Sequence, residues 1–168
     1  LYGGSDPADN SGVLRYVSIR HGGAEIGEGN EINGLTLGGV GTGTTIENIE
    51  VVGNVDDGIE FFGGTVNASG LLVWGQGDDG LDIDQAYAGT ISNSMVILNE
   101  ASDHALEIDG PEGSATGRFT LDGLTLIGTN DECAPTGVDG EIADYRKGAT
   151  GDNNNIYVMN FTAGKDIE

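Results

Sequence analysis

The chain has 168 residues, 31 of them glycine, and carries 28 acidic side chains against 6 basic ones, a formal net charge of −22 at pH 7. Glycine at this density, with three prolines and no Gly-X-Y period, excludes collagen and argues against a helical domain, because glycine is costly inside helices. A charge this negative is repelled by DNA, RNA and anionic lipid, and no apolar run of about 18 residues is present, so neither nucleic acid nor membrane insertion is expected.

The length suits a single domain over 1–168. The first residue is Leu1, which fits a mature or trimmed product whose targeting segment has been removed. Cys133 is the single cysteine; it has neither a disulfide partner nor a neighbour at metal-ligand spacing.

Taken in chain order, a small, apolar, polar, apolar pattern recurs. It appears as Gly34-Leu35-Thr36-Leu37, Gly58-Ile59-Glu60-Phe61, Gly80-Leu81-Asp82-Ile83 and Ala105-Leu106-Glu107-Ile108, at intervals of 24, 22 and 25 residues. Weaker copies follow at Ile142-Ala143-Asp144-Tyr145, 37 residues on, and Gly164-Lys165-Asp166-Ile167, 22 further. The long gap places an inserted loop at 131–140. A second apolar segment lies between these copies: Val17 to Arg20, Ile49 to Val52, Leu71 to Trp74, Met95 to Leu98, Leu124 to Ile127 and Ile156 to Met159.

Alternation over four or five residues, bounded by glycine and asparagine, predicts short strands rather than helices. A repeat of this length holding two or three short strands is the coil of a parallel β-helix, with coils stacked about 4.8 Å apart. Leucine-rich repeats need an asparagine inside a leucine-spaced consensus, which is missing here. The expected fold is therefore all-β, a right-handed parallel β-helix of about six coils of 22–25 residues. Leu35, Ile59, Leu81 and Leu106 should stack in one interior column, and Leu37, Phe61, Ile83 and Ile108 in the next. Asn54, Gln76 and Asn99 should form a turn ladder whose amides bond from coil to coil.

Ser11-Gly12-Val13-Leu14-Arg15-Tyr16-Val17, Asn33 to Gly38, Asp57 to Asn67 and Gly80 to Asp84 resemble a group of secreted right-handed β-helix surface proteins of Bacteroidota-type bacteria. The stretch Asp56-Asp57-Gly58-Ile59-Glu60-Phe61-Phe62-Gly63-Gly64 is the most specific part of that resemblance, which covers most of the chain. It implies the fold and an extracellular or cell-surface address, and carries over no catalytic residues.

With Leu81 and Ile83 inside, Asp82 and Asp84 point outward, and the same logic exposes Glu60, Glu107, Asp109, Asp144, Asp166 and Glu168. Two unit charges about 5 Å apart repel by roughly 3 kcal/mol at an effective permittivity of 20, so such a column asks for screening or for hard cations between coils. Calcium suits an oxygen-only set, and Glu60, Asp82, Asp84, Glu107 and Asp109 are the candidate ligands.

A second acidic row, Asp56-Asp57, Asp78-Asp79 and Ser102-Asp103-His104, lies in the turns before the repeated strands, where Asp-Gly commonly closes turns. The order Asp57, Asp78, Asp79, His104, Arg146, Lys147 also resembles the catalytic set of polygalacturonase-type β-helix hydrolases. Two carboxylates facing a gap are the minimum machinery for inverting hydrolysis. The motifs depart from that family: Val55 and Asp56 replace its Asn-Thr, Ala105 follows the histidine in place of Gly, and nothing separates Arg146 from Lys147. A lyase reading, with Ca²⁺ on Asp84 and Asp109 and Arg146 as base, is weaker, because a guanidinium among carboxylates is held protonated.

His21 and His104 sit at no zinc spacing. Gly38 to Gly43 lacks the lysine and helix of a phosphate loop and reads as a flexible turn. Trp74 faces outward if Leu71 and Val73 face in, giving a platform for a sugar ring or a neighbouring subunit, unless the inserted loop covers it. Neither end carries a capping helix, so the expectation is either that the chain is part of a longer solenoid or that copies stack head to tail as a filament. The functional expectation is a calcium-assisted, non-enzymatic extracellular scaffold, with a polysaccharide-cleaving or carbohydrate-binding role as the alternative.

Overall fold

The computed structural model describes residues 4–27, 32–129, 140–162 and 167–168. The described residues contain strands and turns, no helix, and thirteen strands. In chain order these are β1 (Val13–Arg20), β2 (Leu35–Gly38), β3 (Thr45–Val52), β4 (Ile59–Phe62), β5 (Ala68–Ser69), β6 (Leu72–Trp74), β7 (Leu81–Asp84), β8 (Thr90–Ile97), β9 (His104–Asp109), β10 (Phe119–Ile127), β11 (Glu141–Arg146), β12 (Gly151–Asn154) and β13 (Tyr157–Met159). All pair in parallel.

The smaller sheet runs β11-β9-β7-β4-β2, and its register is the repeat read from the sequence. Leu35, Ile59, Leu81, Leu106 and Ala143 stand opposite one another in turn, and so do Leu37, Phe61, Ile83, Ile108 and Tyr145. The small residue opening each copy has a physical cause. A Cβ on Gly34, Gly58 or Gly80 would run into the Cγ atoms of Val51, Val73 or Val96 and into the carbonyl oxygen of the next repeat.

The larger sheet runs β1-β3-β5-β8-β10-β12, with β6 and β13 continuing the rows. Each row bends at one residue with positive φ: Tyr16, Asn48, Gly70, Asn93, Gly123 and Asn155, all in register. The bend adds an outward residue to each strand, so buried side chains fall three apart rather than two, as in Ile46 and Ile49 or Leu121 and Leu124. Asparagine and glycine fill most of these positions because they tolerate the left-handed region. Beyond the bend, two outward columns form: Ser18, Glu50, Leu72, Met95, Thr125, Tyr157, and Arg20, Val52, Trp74, Ile97, Ile127, Met159.

The inward faces of both sheets feed a single apolar cluster that includes Ile49, Phe61, Val73, Ile83, Tyr87, Ile108 and Leu124. Burying a side chain of this size contributes about 1.5–3 kcal/mol, and these ladders are the main source of stability.

Four expectations need correction. Glu60, Asp82 and Asp109 face away from the apolar interior yet are only 6, 8 and 3% exposed, because the stacked side chains of adjacent strands cover one another. The turn amides bond from coil to coil only in part, and to backbone carbonyls: Asn54 donates to Ile32 one coil away and to Asp57 in its own turn, Asn99 donates to Gly75 one coil away, and Gln76 donates to Asp78 in its own turn. Ile167 bridges to Ala143 rather than standing opposite Tyr145, so the last copy is displaced by two residues and Glu168 exchanges backbone bonds with Ala143 and Tyr145. The glycine turn at 38–43 is pinned, with the Thr42 and Gly43 amides donating to the Pro7 and Asp9 carbonyls at 2.9 and 3.0 Å. Cys133, Lys165, Asp166 and nearly all of the 131–140 loop lie outside the described residues.

Candidate functional site

The outward face of the smaller sheet carries the acidic column. Thr36, Glu60, Asp82, Glu107 and Asp144 occupy one row, and Gly38, Phe62, Asp84, Asp109 and Arg146 end the strands. The turns before the strands add a second row, in which Asp57 and Asp79 each hold the next repeat's backbone. Asp57 Oδ1 accepts the Asp79 amide at 3.0 Å, and Asp79 Oδ1 accepts the His104 amide at 2.8 Å. The Asp-Gly pairs are thus turn closers first.

Three carboxylates converge where these rows meet. Oxygens of Asp57, Glu60 and Asp82, all three residues buried, lie within 4.8 Å of one another. The Asn33 amide donates to Glu60, while the Oδ1 atom of Asp82 has no hydrogen-bond partner among the described residues. Burial, reinforced by the like charges alongside, raises the Asp57 carboxyl to about 8. Burial likewise raises Glu60 and Asp82, Glu60 with Asp84 as its leading charged neighbour and Asp82 with Asp57 and Glu60. No cationic side chain among the described residues is paired with this group: Arg15 pairs with Glu47, Arg20 with Glu50, His104 with Asp79, Arg118 with Asp152, and Arg146 and Lys147 with Asp109.

The lower half of the column is neutralised from within the chain. Arg146 bonds Asp109 at 2.8 Å and also pairs with Glu107, and Lys147 bonds the other oxygen of Asp109 at 2.6 Å. Of the five residues expected to bind metal, Glu60 and Asp82 therefore stand together without a counter-charge among the described residues, Glu107 and Asp109 are ion-paired, and Asp84 lies half-buried at the strand end with no described partner for its Oδ1.

The residues of the hydrolase-like set divide into two groups. Asp57, Asp78, Asp79 and His104 gather at the start of the strands, where the half-buried His104 imidazole bonds Asp79 at 2.8 Å and lies 3.7 Å from Asp103. Arg146 and Lys147 sit at the other end, five residues along the strand from His104 and about 16 Å away. Trp74 faces outward and is 53% exposed, with Leu71 and Val73 buried beneath it. The part of Asp57 in the carboxylate trio was hidden in the sequence, because its turn position gave it to the other acidic row; the signal was its spacing of three from Glu60.

A family model described as a pectate-lyase-like β-helix domain matches residues 1–168. Comparison with curated proteins and with solved structures finds no significant match.

Proposed function

The chain belongs to the pectate-lyase-like β-helix domain family, and from that premise we propose that it is a non-catalytic extracellular scaffold, a right-handed helix of about six coils that holds a hard divalent cation of the calcium type at Asp57, Glu60 and Asp82. One observation carries the reading: three buried carboxylates from two adjacent repeats converge within 4.8 Å, and Oδ1 of Asp82 has no partner among the described residues. Repulsion in such a group is relieved by protonation or by a cation. The donor set is all oxygen, which suits Ca²⁺ and gives no reason for a transition metal. These residues supply the carboxylates; remaining coordination positions fall to backbone carbonyls or solvent. The strands β1 and β13 at the edges of the larger sheet are the elements through which copies would stack end to end.

Polysaccharide cleavage is the second reading, favoured by the Asp79–His104 pair and by an Asp57 carboxyl that stays protonated near neutral pH beside Asp78. Two features weigh against it. Inverting glycosidases hold their carboxyls about 6.5–9.5 Å apart to admit water, wider than the spacing here. Arg146 and Lys147 are also committed to Asp109 at the far end of the strands.

Calorimetric titration of chelator-treated protein with Ca²⁺ tests the proposal. A saturable site that Asp82→Asn removes is the expected result, and absence of binding up to millimolar Ca²⁺ would reject it. Release of reducing ends from polygalacturonate, abolished by Asp79→Asn or His104→Ala, would move the assignment to the enzyme.

A further inference from the structure

The outward face of the larger sheet beyond its bend differs from the rest of this surface. In a chain with 28 acidic residues, its two outward columns contain one carboxylate, Glu50, and that group accepts bonds from Ser18 and Arg20 at 2.6 Å each. Between and below them the columns are largely apolar, and four of their side chains are well exposed: Trp74 at 53%, Met95 at 36%, Tyr157 at 61% and Met159 at 38%. Water gains nothing from this arrangement, and an apolar strip on an otherwise acidic protein marks a contact surface.

We propose that this strip binds a neutral, linear polysaccharide running along the solenoid axis, with Trp74 and Tyr157 as its stacking platforms. Charge selects the ligand class. Among the described residues the strip has no unpaired cation to hold an anionic sugar, and the net charge of −22 repels one. Size argues against a second copy of the chain: strands about 4.8 Å apart with about four residues each give on the order of 300 Å², well under the roughly 800 Å² that each partner buries in a stable protein interface. Shape favours a polymer, because Trp74 and Tyr157 stand three strands apart, about 14 Å along the axis, on neighbouring columns with Met95, Ile97, Thr125 and Ile127 between them. Aromatic rings bury the apolar face of a sugar, and the Thr125 hydroxyl lies between them to meet its polar edge.

Trp74 is the only tryptophan, so its emission reads this face alone. The intact chain is titrated with cello-, xylo- and manno-hexasaccharides, with polygalacturonate as the anionic control. A saturable blue shift with a neutral sugar is expected, unchanged by a chelator, which separates this result from that of the cation site. By affinity electrophoresis, Trp74→Ala should weaken binding about tenfold or more, and Trp74→Phe and Tyr157→Ala by about threefold. These positions are exposed, and circular dichroism checks that the variants fold. Emission indifferent to every neutral sugar, a response to polygalacturonate alone, or a shift produced by protein concentration together with a sedimenting dimer would each overturn the proposal.

Discussion

Nδ1 of His104 lies 2.8 Å from Oδ1 of Asp79, the same oxygen that accepts the His104 backbone amide. One carboxylate thus fixes both the ring and the backbone of the next repeat. The hydrogen bond to Asp79 raises the imidazole to about 9, against the opposing effect of burial. A group whose folded pKa lies above its unfolded value stabilises fully below the unfolded value, near 6.5, and loses that contribution as pH rises through the folded one. Thermal stability should therefore fall between about pH 6.5 and 9. Asp79→Asn should cost roughly 2 kcal/mol at pH 6 and flatten this part of the profile, as measured by chemical denaturation across pH.

The buried carboxylates slope the same way for a different reason. Burial raises Asp57, Glu60 and Asp82, so in cation-free protein the folded state is favoured while they hold protons and weakened as pH rises through their folded values. Asp82, raised to about 10, keeps its proton in the folded state at pH 9 at a cost in stability that the unfolded chain does not bear, and Asp82→Asn removes that cost while keeping the shape. In chelator at pH 9 the variant should be more stable than the parent by on the order of 1–2 kcal/mol. With Ca²⁺ the order should reverse, because only the parent gains from the ion. Calcium affinity of the parent should rise with pH, since its ligands must lose protons. Melting temperatures in chelator and in Ca²⁺ check all three.

The interior columns were legible because strand alternation and a regular interval together assign each apolar residue a neighbour, and Leu81 over Ile59 follows from counting. Burial of Glu60 and Asp82 was not legible. Alternation reports that a side chain faces away from the apolar interior, whereas cover comes from the residues stacked above and below. The left-handed column at Asn48, Gly70, Asn93, Gly123 and Asn155 escaped for a related reason: loops of unequal length give it intervals of 22, 23, 30 and 32 residues. Its signal was a recurring asparagine or glycine in mid-strand. The split of Arg146 from His104 was invisible because chain order says nothing of position along the strand.

That left-handed column contains one misfit. Tyr16 adopts φ 54° and is 82% exposed, at a position its neighbours give to asparagine and glycine. The conformation costs an ordinary L-residue roughly 1–2 kcal/mol, so Tyr16→Asn or Tyr16→Gly should stabilise the protein by up to about 1 kcal/mol. Gly70 tests the converse. Its φ is 66°, and a Cβ there would stand 2.6 Å from Oδ1 of Asn48, so Gly70→Ala should destabilise by more than Tyr16→Gly gains. Urea midpoints of the variants give both signs.

Arg146 separates a structural from a catalytic role for the basic pair. Asp109 is 3% exposed and receives both Arg146 and Lys147, and Arg146 also reaches Glu107 and, at 3.7 Å, Asp144. Removing the guanidinium leaves Asp109 buried with one partner and frees two further carboxylates to repel it. Arg146→Ala should therefore destabilise by about 3 kcal/mol, in the range expected for breaking a buried pair. Arg118→Ala is the control, because the Arg118–Asp152 pair is exposed on both sides and its loss should cost at most about 1 kcal/mol. Chemical denaturation of the two variants decides the point: equal, small effects would mean that Arg146 does not hold the lower half of the acidic column together and is free to act on a ligand.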